Sequence, residues 1–220
     1  LGGNGLPRFQ PGDLVGIMPP GSTAARYYSL ASATREGILE ICVRKQPNGL
    51  CSEFLHALSP GDTIDAFIRH NHEFRPAPGR KPLILIGAGA GIAPLAGLVR
   101  TNGNRPAYMF FDGRDPQSDF LYRDQLMAAL EDGRLTQLIT AFSRVVRGEY
   151  VQDRVAANAE ELQVNAPKAL DGRLVPPAFL VQVLRQAVGQ VGVPRINVHM
   201  AEQMMVHVVA VRVGVRREQG

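Results

Sequence analysis

The sequence predicts two domains of different class, a β unit in the form of an antiparallel barrel and then an α/β unit with a parallel sheet. Three observations carry this expectation. Pro82-Leu-Ile-Leu-Ile86 is a short apolar run, after which Gly87, Gly89 and Gly91 fall at alternate positions and Pro94 closes the stretch. That pattern is a buried strand, a tight turn and a helix start. Upstream, short strand-like runs are separated by turn signals, and downstream, as far as residue 163, strand and helix patterns alternate.

The glycine stretch also predicts chemistry. Its glycines let the backbone turn sharply and approach a ligand, and a proline suits the first helical turn because its missing N–H has no partner there anyway. A glycine loop feeding a helix N-terminus presents N–H groups and a positive dipole end, so the expected guest is a phosphate. A glycine pattern taken alone is equally compatible with packing.

Composition bounds the remaining possibilities. The 220 residues are 45% hydrophobic and contain no run of 18 apolar residues, so no membrane segment is expected. Cys42 and Cys51 have neither disulfide-framework nor metal-ligand spacing, which fits a reducing, cytoplasmic compartment. The net charge of +4 invites a nucleic-acid reading. Residues 1–163, however, hold 17 Lys/Arg against 17 Asp/Glu, while residues 164–220 hold 7 against 3, so the excess lies wholly in the tail. A neutral body without a basic and aromatic stripe argues against nucleic acid.

Residues 1–78 carry the punctuation of the β unit. Pro11-Gly12-Asp13 and Pro60-Gly61-Asp62 are the same turn signal, each followed by a strand-like run, at 14–18 and 63–68. Runs at 26–31 and 38–43 lie between them. Only four or five strands can be counted, fewer than a closed barrel needs, so the expected reading is a barrel incomplete at its N-terminus and a fragment of something longer.

Two segments of this half have chemical character. In Arg26-Tyr27-Tyr28-Ser29, strand alternation puts Arg26 and Tyr28 on one face and Tyr27 and Ser29 on the other. An arginine beside an aromatic platform suits a phosphate and a flat ring; the plain alternative is an amphipathic strand. In Gly49-Leu-Cys-Ser-Glu-Phe-Leu55, Ser52 is expected to cap a short helix running through Leu58, again placing a glycine and a hydroxyl at a helix N-terminus. His70 and His72 would share a strand face, without an acid or cysteine at metal spacing.

The α/β unit continues with a strand at 107–111, a helix at 119–131 capped by Asp115-Pro-Gln-Ser118 and closed by Gly133, a strand at 135–142 and a helix at 150–163. Asp119, Arg123 and Asp124 are expected on the surface of the first of these helices. Asp112 ends the second strand, where an acid accepting a ribose 2′-hydroxyl signals NAD. Against it stand Arg114, Ser143 and Arg144, followed by Arg147, Tyr150 and Gln152, the guanidinium and hydroxyl set that a 2′-phosphate wants.

Arg26-x-Tyr-Ser, Gly49-x-x-Ser, Gly87-x-Gly-x-Gly-Ile-Ala-Pro94, Asp119-Phe-Leu-Tyr-Arg-Asp124, Ala141-Phe-Ser-Arg144 and Tyr150-Val-Gln152 occur in one order. In this the chain resembles the ferredoxin–NADP reductase family, in particular the FAD and NADPH module of diflavin reductases, over residues 9–163. The resemblance implies a partial FAD-binding barrel at 1–78, a Rossmann-like NADP-binding domain at 79–163 and a divergent tail at 164–220. It implies that Arg26 neutralises the FAD pyrophosphate, that Tyr28 stacks on the isoalloxazine, and that Ser29, the catalytic candidate, hydrogen-bonds near flavin N5. Gly49, Cys51 and Ser52 would hold the pyrophosphate, with Ile41, Cys42 and Val43 beside the flavin. Gly87, Gly89, Ala90, Gly91, Ile92 and Pro94 would face NADPH, and Arg114, Ser143, Arg144, Tyr150 and Gln152 its phosphate end. The family reads Gly-Thr-Gly at the loop, and Ala90 lacks that hydroxyl, a loss of about 1 kcal/mol.

The implied activity is electron transfer from NADPH through FAD to FMN, haem or an iron–sulfur partner, in the cytoplasm or on the cytoplasmic side of a membrane protein if an anchor precedes this chain. The tail departs from the family. Residues 164–220 hold fourteen valines but no cysteine, tyrosine or tryptophan, where the family has a Cys-Gly-acid strand and a terminal aromatic. Ala169-Leu-Asp-Gly172 is similar to a late family helix, and residues 204–215 are expected to form a strand or an aggregation-prone segment. His199 and His207 read as incidental. The alternative to a working reductase is a truncated or frame-altered flavin- and nucleotide-binding remnant without turnover.

Overall fold

A computed structural model describes residues 6–76, 78–80, 82–103 and 105–158, together with the backbone of residues 206–211. In chain order the elements are β1 (Leu14–Met18), β2 (Arg26–Ser29), β3 (Leu39–Arg44), α1 (Leu50–Ala57), β4 (Asp65–Arg69), β5 (Leu83–Ala88), α2 (Ala93–Thr101), β6 (Ala107–Gly113), α3 (Arg123–Glu131), β7 (Gln137–Phe142), α4 (Val151–Ala157) and β8 (Val206–Val211). They fall into two compact units: the described residues up to Arg75 together with β8, and the described residues from Pro76 to Asn158. No helix among the described residues is long and apolar enough to cross a membrane.

In the first unit the two Pro-Gly-Asp turns close in the same way. The Asp13 N–H donates to the Gln10 carbonyl at 3.0 Å while the Asp13 carboxylate accepts the Gln10 N–H at 2.9 Å. Asp62 repeats this with Ser59 at 3.0 and 2.7 Å. An aspartate side chain that bonds its own turn is the local reason these residues interrupt the strands. Asp13 does more: it also accepts from Asn71 N–H at 2.8 Å and pairs with Arg75 and His70, tying the start of β1 to the segment after β4.

β1 is the central strand of an antiparallel sheet in the order β2-β1-β4. Val15 faces Tyr28 and Ile68, Ile17 faces Arg26 and Ala66, and both Val15 and Ile17 are fully buried. Gly16, between them, opposes Tyr27 and Phe67, whose exposed rings meet edge to face at 6.0 Å. The period of two thus separates a core face from a solvent face. β3 adds Leu39, Ile41 and Val43 to the same core, together with Leu55 and Cys51 of α1. A Leu30–Ile41 bridge and the Ala31 N–H to Glu40 carbonyl bond at 2.8 Å link β3 to β2. Along its length β3 pairs antiparallel with β8, from Leu39 opposite Val211 to Arg44 opposite Val206. The valine-rich tail therefore does form a strand, and its partner is the strand expected to run beside the flavin.

The second unit is a parallel sheet in the order β5-β6-β7, as expected of a Rossmann-like domain. Phe110, Phe111 and Met109 of β6, Leu126 of α3, Ile92 and Leu135 are its largest fully buried side chains. Val151 and Val155 of α4 pack on Ile86, Tyr108 and Phe110, while Phe111, Phe120 and Phe142 form an aromatic group with centroid distances of 5.4 to 6.3 Å.

Several expected boundaries move. The helix expected from Asp119 begins at Arg123, because Tyr122 takes a left-handed φ of 59° and Asp119 turns back into the loop. Asp119 is therefore buried rather than a surface helix residue. Ser52 is not the cap of α1. Gly49 is, and the Ser52 hydroxyl, inside the first turn, accepts the Gln46 N–H at 3.1 Å and donates to the Gly49 carbonyl at 3.0 Å. His70 and His72 lie just beyond β4 rather than on a strand, with His70 turned toward Asp13 at 3.3 Å. Expectations placed on residues 159–205, including His199 and the segment at 169–172, lie outside the described residues, as does the side chain of His207.

Candidate functional site

Within the first unit, two motifs 20 residues apart in sequence come together. Strand β2 carries Arg26 and Tyr28 toward the face of Ile17 and Val15, with Arg26 exposed and Tyr28 packed half-buried against the core cluster. Cys51, in the first turn of α1, belongs to the cluster on which Tyr28 packs. Burial of the phenol, helped by the neighbouring Cys51 thiol, pushes its pKa well above the usual tyrosine value, against a smaller opposing pull from Arg26. The ring is accordingly neutral at any physiological pH.

The turn before α1 is tight. A Cβ on Gly49 would stand 2.5 Å from the Ser52 Oγ and 3.0 Å from the Gln46 carbonyl oxygen, so a side chain here would displace the Ser52 hydroxyl from the turn. Leu50, Cys51 and Ser52 occupy the first turn, where N–H groups have no intrahelical acceptor and favour an anion. Because the Ser52 hydroxyl is already used in the turn, the capacity for a phosphate lies in the backbone. Ser29, next to Tyr28, is half-buried opposite Leu14. Ile41 and Val43 are core residues of β3, and Cys42, between them, is buried and opposes Val208. A guanidinium, a neutral phenol ring and a helix N-terminus suit a flat ring carrying a diphosphate.

In the second unit the expected residues gather at the carboxyl ends of the parallel strands. Ala88 at the end of β5 opposes Asp112 of β6, which opposes Ala141 of β7, so the glycine loop, the Asp-Gly-Arg turn and the Ser-Arg turn form one row. This edge is where open parallel sheets bind nucleotides. Gly89 opens a single 3-10 turn with a left-handed φ of 50°, a conformation its missing Cβ permits, and Ala90 and Gly91 follow within it. Ile92 is fully buried and Pro94 is buried at the start of α2, so these two hold the loop from beneath.

The Ser143 N–H donates to the Gly113 carbonyl at 3.1 Å, its hydroxyl to the same oxygen at 3.4 Å, and the Arg144 N–H to the Arg114 carbonyl at 2.8 Å. Arg114, Ser143 and Arg144 are thereby brought side by side. Tyr150 is exposed at the cap of α4, its N–H bonded to Asp153 at 3.2 Å, and Gln152 is exposed on the first turn. Asp112 is half-buried and its pKa is pushed up to about 6, chiefly by burial and further by the charge of Asp119, while the nearby Val151 N–H opposes the rise.

Asp119 is the residue that sequence reasoning misplaced. Its carboxylate accepts the Arg114 N–H at 3.0 Å, and a Cβ on Gly113 would stand 2.8 Å from its carbonyl oxygen. It sets the turn from which Arg114 projects. The Asp-Phe-Leu-Tyr-Arg-Asp motif was visible, but a bond reaching back five residues leaves no local pattern.

Residues 8–67 match the family described as oxidoreductase FAD-binding domain. Over 155 residues the chain is 34% identical to the sulfite reductase [NADPH] flavoprotein alpha-component of Bacillus subtilis, covering 63% of this chain and 26% of that protein. It is 36% identical over 154 residues to the protein of the same name from Photobacterium profundum, covering 62% and 26%. With the NADPH-dependent diflavin oxidoreductase 1 of Kluyveromyces lactis it shares 32% identity over 143 residues, 59% of this chain and 23% of the other. The chain spans about a quarter of the length of these curated relatives.

Proposed function

This chain belongs to the ferredoxin–NADP reductase family and carries its oxidoreductase FAD-binding domain, and from that premise we propose that it passes electrons from NADPH through FAD to a one-electron acceptor, an FMN, haem or iron–sulfur protein or domain. The observation that carries the reading is the convergence of separate motifs within each unit: Tyr28 packed on the core cluster of Cys51 in one, and Ser143 and Arg144 with Gly113 and Arg114 in the other. FAD supplies the chemistry, accepting two electrons from a nicotinamide and releasing them singly.

The residues of the chain bind and orient. Arg26 and the first-turn N–H groups of Cys51 and Ser52, held by Gly49, take the diphosphate. Tyr28 offers a neutral ring face to the isoalloxazine, Ile41 to Val43 line its edge, and Ser29 holds a proton at the N5 position. In the second unit the loop from Gly87 through Gly89, Ala90 and Gly91, seated on Ile92 and Pro94, takes the nucleotide diphosphate. Arg114, Ser143 and Arg144, with Tyr150 and Gln152, take the 2′-phosphate. The coenzyme is NADPH rather than NADH because the acid that would accept a ribose hydroxyl, Asp112, is half-buried with a raised pKa, while Arg114, Ser143 and Arg144 are joined through their backbones on the adjoining turns.

The second reading, a flavin- and nucleotide-binding remnant without turnover, is favoured by one observation: residues 164–220 contain no cysteine, tyrosine or tryptophan. Calorimetric titration tests the binding part. The apo-chain should take up one FAD, and the loaded chain should bind NADP⁺ at least roughly tenfold more tightly than NAD⁺. Equal affinity for the two coenzymes would remove the case for a 2′-phosphate site.

A further inference from the structure

Asp119 stands in the loop between β6 and α3 and, at 8% exposure, is the one buried charged side chain among the described residues of the second unit. A carboxylate is kept from water only where the protein supplies it with partners. Its Oδ2 accepts the Arg114 N–H at 3.0 Å, while its own N–H donates to the Asp115 carbonyl at 2.9 Å. The next residue, Phe120, stacks on Phe111 of β6 at 5.4 Å and meets Phe142 of β7 at 5.6 Å. The loop is thus fastened to both strands, and the Asp119 carboxylate is the part of it that grips the exit of β6.

The segment it grips is the one to which the Ser-Arg turn is tied. The Gly113 carbonyl accepts the Ser143 N–H at 3.1 Å and the Ser143 hydroxyl at 3.4 Å, and the Arg114 carbonyl accepts the Arg144 N–H at 2.8 Å. Gly113 is closely packed as well: a Cβ there would stand 2.8 Å from the Asp119 carbonyl oxygen and 3.1 Å from the Phe142 ring. We propose that Asp119 is a positioning residue for coenzyme selection: by holding the Arg114 N–H it fixes the segment that places Arg114, Ser143 and Arg144 relative to one another, and so sets the preference for a 2′-phosphate without touching it. This rests on the NADPH reading above. Charge-assisted bonds to a phosphate demand donors placed to within about 0.5 Å, so a loosened β6 exit weakens the 2′-phosphate contact first. The glycine loop, which takes the diphosphate common to both coenzymes, follows β5 and does not depend on this bond.

The test compares Asp119→Leu, which keeps most of the volume and removes the acceptor, with Asp119→Asn, which keeps an acceptor oxygen. NADP⁺ and NAD⁺ are titrated calorimetrically into each FAD-loaded chain. Asp119→Leu should weaken NADP⁺ by roughly tenfold and leave NAD⁺ within about twofold of wild type, whereas Asp119→Asn should keep both within about threefold. In the Arg144→Ala background the leucine substitution should cost NADP⁺ much less, because one of the groups it displaces is already gone. Gly113→Ala disturbs the same segment with Asp119 in place and should also lower NADP⁺ selectively; it carries the test if Asp119→Leu does not fold.

A purely structural role for Asp119 would lower both affinities together. The proposal is overturned by that result, by a leucine variant or a Gly113→Ala chain that keeps the wild-type ratio of NADP⁺ to NAD⁺ affinity, by an asparagine variant that falls as far as leucine, or by a leucine effect undiminished in the Arg144→Ala background. A wild-type chain that binds the two coenzymes equally is a different failure: it overturns the 2′-phosphate reading itself, and the inference falls with it.

Discussion

The carboxyl of Asp112, at the end of β6, lies near the backbone N–H of Val151 at the head of α4, which draws its pKa down against burial and the Asp119 charge. A group that ends one strand of the nucleotide edge thereby comes close to the helix that covers the sheet at Tyr108 and Phe110. The arrangement has a pH signature. Burial, aided by Asp119, raises the Asp112 pKa to about 6, above the ordinary value near 3.8. The folded chain therefore holds this proton more tightly than the unfolded chain. The contribution to stability is complete below about pH 4 and is lost as pH rises through 6. Asp112→Asn, which keeps a neutral acceptor, should melt higher than wild type above pH 6, with the gap closing by pH 4. A gap independent of pH contradicts the assignment.

Asp13 carries the opposite signature. Burial alone would raise its pKa, but N–H bonds from Asn71 and Gln10, the Arg75 guanidinium and the His70 ring outweigh it and hold the carboxyl below its ordinary range. Its stabilisation is present above about pH 4 and is lost as pH falls through the folded pKa. Asp13→Asn should cost roughly 3 kcal/mol at pH 7 by denaturant unfolding, since Arg75 loses its charge partner in a site where Asp13 is 1% exposed. The cost should shrink on acidification, and a constant cost would assign it to packing.

Strand β8 predicts a role for the tail in the first unit. In an antiparallel ladder every second residue donates to its neighbour, so prolines at both Val208 and Val209 remove at least one bond to β3. That double substitution should destabilise the first unit by roughly 1–3 kcal/mol. Unchanged stability, measured by hydrogen exchange at Ile41 and Val43, would show that β3 does not depend on β8.

Arg144→Ala should weaken NADPH binding by roughly tenfold or more and leave NADH nearly unaffected, because only the 2′-phosphate is addressed by that guanidinium. An equal loss for both coenzymes would place Arg144 in the turn's architecture alone, where its N–H bond to Arg114 already belongs.

How much of this could be read from the chain follows from the range of each interaction. The Pro-Gly-Asp turns close on residues three positions away, and the glycine loop is one local turn, so both were legible. Strand β1 matched its expected limits because alternation around Gly16 is local. β6 runs on through Asp112 and Gly113 because their partners, Ala88 and Ala141 among them, lie on other strands. The same reason hid the Asp13 network, whose partners Asn71 and Arg75 lie 58 and 62 residues away. Asp119 and Ser52 failed for a subtler reason. Both carry the residue types of helix caps, and both spend their side chains on the loop that precedes the helix. The packing of Tyr28 on the core cluster of Cys51 was implied only as two separate motifs, and nothing in either indicates that they share a core.

The account turns on whether this chain conducts electrons or only binds the groups that carry them. An anaerobic NADPH titration of the FAD-loaded chain, followed by flavin absorbance, decides it most directly. The reductase account predicts that the flavin bands bleach as NADPH is added. Flavin that stays bound and oxidised at saturating NADPH would contradict it and establish the remnant reading in its place.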